Sequence, residues 1–109
     1  WQALTLLSAD VCLDLINQEK AITQANRRIF PQVNFATGPA NVSAAAKADV
    51  IRRLARSLWG RMESEAEKTM VVSAADTAFT GVAATGTQTE NLMLFICTGM
   101  LAALDAQKF

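Results

Sequence analysis

The sequence predicts an all-α domain: four helices in a bundle-like arrangement, with a long loop between the first and second and an apolar, central last helix. Three observations lead there. Apolar residues recur at three- and four-residue spacing in four separate stretches. Ser64 with Glu67, and Thr87 with Glu90, read as capping boxes that open helices. Period-two alternation is missing, and β-branched pairs such as Val71–Val72 are too short for strands. With 109 residues, 51% apolar and 18% charged, a single helical domain over residues 1–109 can fill its own core. The chain opens on Trp-Gln rather than Met, so a processed product or part of a longer chain is expected.

The first helix is expected from about Ala3 to Ile29, with no Pro or Gly to interrupt it. Leu4, Leu7, Val11, Leu15, Ile22, Ala25 and Ile29 form its inward stripe. Asp10, Asp14, Gln18, Glu19 and Gln24 take the other side, and a bend is expected near Gln18–Lys20, where the stripe thins. The stretch FPQVNFATGPANVS follows, bracketed by Pro31 and Pro39, and reads as a long loop. Phe30, Val33 and Phe35 are expected to tuck beneath it. Asn41-Val-Ser matches the N-glycosylation sequon, which has meaning only in a eukaryotic secreted protein.

The second helix opens at Asn41 or Ser43 and runs to Trp59, with Ile51, Leu54, Ala55, Leu58 and Met62 inward. Asp49 and Arg53 form an i,i+4 pair, and Gly60 is the candidate left-handed cap. The third helix starts at Ser64, carries Met70, Val71, Ala74, Ala75, Ala78 and Phe79 inward, and closes at Gly81. After GVAATGTQ the fourth helix begins at Thr87. Its apolar run, Leu92–Leu104, is bounded by Glu90 and Asp105 and falls well short of the roughly 20 residues a membrane span needs. A core helix is therefore expected, with Gly99 letting a neighbouring backbone come close, and no membrane span.

The chain has no His, which removes the commonest general base and the usual nitrogen ligand for zinc or haem. Gly81 and Gly86 have phosphate-loop spacing, but Thr87 stands where Lys is required, and a helix precedes them instead of a strand. Glu63, Glu65 and Glu67 read as capping and solvation. No catalytic, cofactor-binding or metal-ligating residue is assigned, no cofactor or small-molecule ligand is expected, and an enzyme is disfavoured. Cys12 and Cys97 lie mid-helix among apolar residues, and two readings stay open. They are either two buried thiols or one disulfide stapling the first helix to the last in an exported protein.

Net charge is zero but unevenly spread. Seven basic residues and the single acid Asp49 fall between Arg27 and Arg61, and acids dominate afterwards. Neighbouring helices of opposite charge explain this. A nucleic-acid or anionic-partner face at Arg52, Arg53 and Arg56 is the sharper alternative, disfavoured by the zero net charge. Trp59-Gly60-Arg61 is the most individual corner, either a plug between helices or an aromatic–arginine anchor for a partner.

VIRRLARSLWGRMESEAEK, followed later by LMLFICTGMLAALDAQKF, resembles helical domains of large exported planctomycete-type, cytochrome-associated bacterial proteins. Arg52, Arg53, Leu54, Leu58, Gly60, Arg61 and Glu67 match the first part, and Leu94, Leu101 and Phe109 loosely match the last. Those families carry Pro-Thr after Gly-Arg, where this chain has Met62–Glu63–Ser64, and most of the first forty residues are not covered. The resemblance implies a helical accessory domain in a periplasmic or surface setting and transfers no catalytic residue.

The expected role is a non-catalytic structural or interaction module of an exported bacterial protein or assembly, with a protein partner or self-association through Arg52, Arg53, Arg56, Trp59 and Arg61. The alternative is the helical portion of an enzyme whose active residues lie elsewhere.

Overall fold

Serine side chains start two of the helices as the sequence predicts. Ser43 Oγ accepts from Ala46 N at 3.0 Å, and Ser64 closes a reciprocal capping box with Glu67. Each satisfies backbone donors that a helix start leaves without partners. The computed structural model describes the backbone of residues 2–61 and 63–107 and the side chains of residues 10–58, 60–61 and 63–101. Four helices result: α1 (Gln2–Lys20), α2 (Ala44–Leu54), α3 (Glu65–Ala78) and α4 (Gly86–Gln107). There is no strand among the described residues. The side chains of Leu4, Leu7 and Trp59, and the whole of Met62 and Phe109, lie outside what is described.

α4 is central. It packs against α1, α2, α3 and the short turns between them. Leu92, Met93, Ile96, Cys97 and Met100 are fully buried, as the apolar run predicts. They recur at one, three and four residues, the spacing of a single helical face. The far side is open: Phe95 is 40% exposed, and a Cβ placed on Gly99 would meet no atom within 4 Å. Gly99 therefore faces solvent, not the close helix crossing expected of it.

α1 stops at Lys20, nine residues short of the expected end at Ile29. No Pro or Gly signals this stop. The chain turns because Ile29, Phe30 and Val33 are all buried in the core, which a straight helix would not allow. The inward stripe is also displaced. Cys12 and Ile16 are buried while Val11 is 47% and Ile22 39% exposed. A shift of one residue rotates the buried face by about 100°. Leu15, between the two faces, is half-buried.

α2 buries Ala46, Val50, Ile51 and Leu54, then widens into one π turn over Ala55–Trp59. Gly60 ends it with φ +69°, a left-handed conformation costly for a residue with a Cβ. α3 is more peripheral than expected. Only Ala75 is buried; Met70 is 66% exposed, and Ala74 and Ala78 face solvent. Val71, Val72 and Phe79 are half-buried against the core, and Phe79 meets Phe95 edge-to-face at 5.9 Å.

α4 begins one residue before Thr87, so Thr87 and Glu90 do not cap it. Thr85 Oγ1 instead accepts from Gln88 N at 3.3 Å, and Glu90 accepts from Lys20 Nζ at 2.6 Å. Gly86 explains the early start. A Cβ there would lie 2.0 Å from the Phe35 carbonyl oxygen, so only glycine lets the loop lie against the helix end. Gly86→Ala is expected to lower stability by about 2 kcal/mol, the usual cost of overpacking. Equilibrium urea unfolding checks this, and a variant as stable as the parent would show that the loop moves freely away.

Candidate interaction surface

The long connection is an ordered structure built around a buried acid. Glu19 is only 3% exposed, although its charge placed it on the polar side of the first helix. Its Oε1 accepts from Ile29 N at 2.6 Å and Phe30 N at 3.2 Å; Oε2 accepts from Arg28 N at 3.4 Å. Three consecutive backbone donors thus converge on one carboxylate, satisfying a buried charge that would otherwise be costly. Arg27 braces the other side, donating to Val33 O at 2.9 Å and Ile22 O at 3.2 Å and covering the Phe35 ring at 5.2 Å. Thr89, fully buried on α4, donates its hydroxyl to the Thr37 carbonyl. Phe30 and Val33 are completely buried and Phe35 half-buried, so the expected tuck beneath the loop forms.

Cys12 and Cys97 are joined. Their Cα atoms lie 5.8 Å apart, the separation usual for a disulfide. Of the two readings the sequence left open, the structure holds the bond. Both residues have no exposed surface. Eight residues further along α1, Lys20 meets Glu90, seven residues back along α4. The two helices therefore run antiparallel, tied at two levels.

The arginines singled out from sequence lie on α2 and the corner that follows it. Arg53 Nε pairs with Asp49 at 2.8 Å, and its Nη1 donates to Arg28 O at 3.0 Å. Arg52 Nε lies 3.5 Å from Glu63 Oε1. Arg61 grips Glu67 through two bonds of 3.0 and 2.9 Å. That bidentate hydrogen bond raises the Arg61 pKa above its ordinary value, opposed by loss of solvation and aided by the charge of Glu67. Arg56, on the π turn, is exposed and forms no ion pair with a described residue. With Lys47–Asp76 at 2.6 Å, the Arg52–Glu63 and Arg61–Glu67 pairs join the basic middle of the chain to its acidic second half, the neutralisation expected of neighbouring helices. Glu63 departs from the solvated role expected of it. Its side chain is 3% exposed, and Oε2 has no hydrogen-bond partner.

Among the described residues no group of three or more acidic or sulfur side chains could hold a metal ion, and no helix is long and apolar enough to cross a membrane. A half-open groove of about 490 Å³ lies beside α1. Val11, Leu15, Ile22, Ile29, Leu54 and Leu58 line it with apolar side chains, and Asp14, Gln18, Glu19, Arg28 and Ser57 are its polar positions. Sequence reasoning missed the groove because it placed Val11 and Ile22 in the core. It missed Glu19 because a lone acid near a helix end carries no signal of burial, although Cys12, Ile16 and Glu19 do share one face at four- and three-residue spacing.

Comparison with protein-family models, with curated proteins and with solved structures gives no match.

Proposed function

We propose that the chain is a non-catalytic helical interaction module of an exported protein or larger assembly, in a periplasmic or extracellular setting. The buried Cys12–Cys97 bond carries this reading. Disulfides form and persist in oxidising compartments, and one sealed from solvent between the first and last helices has a structural character rather than a catalytic one. The braced loop and the bidentate Arg61–Glu67 corner add rigidity, as expected of a module that presents a fixed surface. The same corner, Arg52–Arg53–Leu54 through Gly60–Arg61 to Glu67, is what resembles the planctomycete-type, cytochrome-associated exported proteins. The reading places this chain in a comparable accessory role.

The test uses protein isolated from its natural source with thiols blocked at lysis. Its intact mass is expected to rise by about 2 Da on reduction, for one disulfide becoming two thiols. Native mass measurement is expected to place it in a complex of fixed stoichiometry, with itself or another protein. Blocked thiols at Cys12 and Cys97 would remove the exported setting. A lone monomer in the native extract would remove the interaction role.

A further inference from the structure

The groove beside α1 has a charge pattern that its own fold leaves open. Val11, Asp14, Leu15 and Gln18 lie on one face of α1 and, with Ile22 in the turn just beyond its end, form one wall. Its helical part, from Val11 to Gln18, is about 10 Å long. Leu54, at the end of α2, and Ser57 and Leu58, in the π turn, form the opposite wall. Ile29 lies between them. Two of the large apolar residues that remain exposed, Val11 and Ile22, sit at the two ends of this one feature.

Glu19 is buried and taken up by three backbone N–H groups, which leaves Asp14 and Arg28 as the groove's exposed charges, opposite in sign and separated. Arg28 lies at the Glu19 end, where its backbone N–H meets the Glu19 carboxylate. Asp14 is five residues earlier on α1, about 7 Å along the axis. Asp14 accepts the Gln18 amide at 2.9 Å and makes no ion pair with a described residue. Neither does the Arg28 side chain, which is exposed. Most other basic side chains of this region have found acids, as Lys47, Arg52, Arg53 and Arg61 show.

A surface with an unpaired acid toward one end, an unpaired base toward the other and an apolar strip between is complementary to itself when turned end over end. Two-fold symmetry supplies that rotation, because each residue pair then occurs twice, i with j and j with i. We propose that this groove is a self-association surface. A second copy of the chain lays its α1 antiparallel into it, so that Asp14 of each copy faces Arg28 of the other. Val11 of each copy then covers Ile22 of the other, and the half-exposed Leu15 and Leu58 are closed from water. In cross-section α1 of each copy sits over the trough between α1 and the π turn of the other, an offset two-layer packing of helices. The apolar strip supplies affinity, and the two charge pairs fix the antiparallel direction.

This inference rests on the reading of the chain as an interaction module, and the two fail differently. Sedimentation velocity of the oxidised, full chain over a range of concentrations is the measurement. A concentration-dependent dimer is expected, weakening as salt is raised. Arg28→Glu alone and Asp14→Arg alone each place like charges together twice per dimer and are expected to raise the dimer Kd by about tenfold or more. The double variant, with both charges exchanged, is expected to return the Kd to within about threefold of the parent. Unchanged circular dichroism in each single variant separates lost association from lost folding. A protein that stays monomeric up to about 100 μM, well above a micromolar Kd, overturns the inference. So does a dimer indifferent to both reversals, or one the double exchange does not restore. If the isolated chain is monomeric but remains in a fixed complex in its native extract, the dimer is refuted and the module reading survives with a different occupant in the groove.

Discussion

Replacing both half-cystines, Cys12→Ala with Cys97→Ala, is expected to lower the unfolding free energy by about 4.5 kcal/mol. The bond closes a loop across a sequence separation of 85 residues, which is most of the chain. Cross-linking so long a loop removes much of the freedom of the unfolded state, and the chain-entropy relation gives this figure for that length. A domain of this size has only about 5 to 15 kcal/mol in total. The variant should therefore unfold at much lower urea, with a steeper dependence on denaturant because its unfolded chain exposes more surface. Equilibrium urea unfolding of the parent, the variant and the parent after reduction in denaturant checks this. Equal midpoints would show that the packing of α1 on α4 holds the helices without the bond. Both sulfurs are inaccessible in the folded state, so reduction under native conditions should proceed only as fast as the protein opens.

Glu19→Ala is expected to cost about 3 kcal/mol. The substitution strands the N–H groups of Arg28, Ile29 and Phe30 at the edge of the core. A buried donor without a partner costs about 1 to 3 kcal/mol, and water entering the space left by the side chain offsets part of the sum. Glu19→Gln keeps an accepting oxygen but loses the charge, so a smaller loss of about 1 to 2 kcal/mol is expected. Hydrogen exchange reads the effect locally. The Ile29 and Phe30 amides should lose protection in the Ala variant well before the amides of α4 do. If their protection is unchanged, burial of Phe30 and Val33 holds the loop, and the carboxylate is incidental.

The parts of this fold that were legible in the sequence are those set by short-range chemistry. Ser43, Ser64 with Glu67, and the left-handed Gly60 each act on backbone groups within four residues, so the pattern and the structure coincide there. The Leu92–Met100 face was legible because α4 touches every other helix and its whole inner surface must be apolar. The misplaced parts depend on distant residues. α1 ends early because the Glu19 carboxylate and the buried Ile29–Phe30 pair bend the chain back, and neither effect appears as a breaker residue. The α1 face is turned by one position because Cys12 must reach Cys97 on the opposite helix. Thr85 replaces Thr87 as the cap because Gly86 lies against the Phe35 carbonyl, a contact from some fifty positions upstream. The corner arginines were recognised as a group, but their engagement by Glu63, Asp49 and Glu67 is a matter of side-chain placement that composition does not reveal.

Antiparallel attachment of α1 to α4 at Cys12 and Cys97 also governs how the molecule answers a pulling force. Tension applied along the chain through these two helices crosses from one to the other at the sulfur bond and bypasses everything between. The enclosed segment would extend to about 300 Å if it were drawn out straight. With the bond in place that length is withheld, and only the helical residues outside Cys12 and Cys97 can give. Under load the folded unit acts as a clasp that yields only outside the bond, and its reach is governed by the redox state of one covalent link.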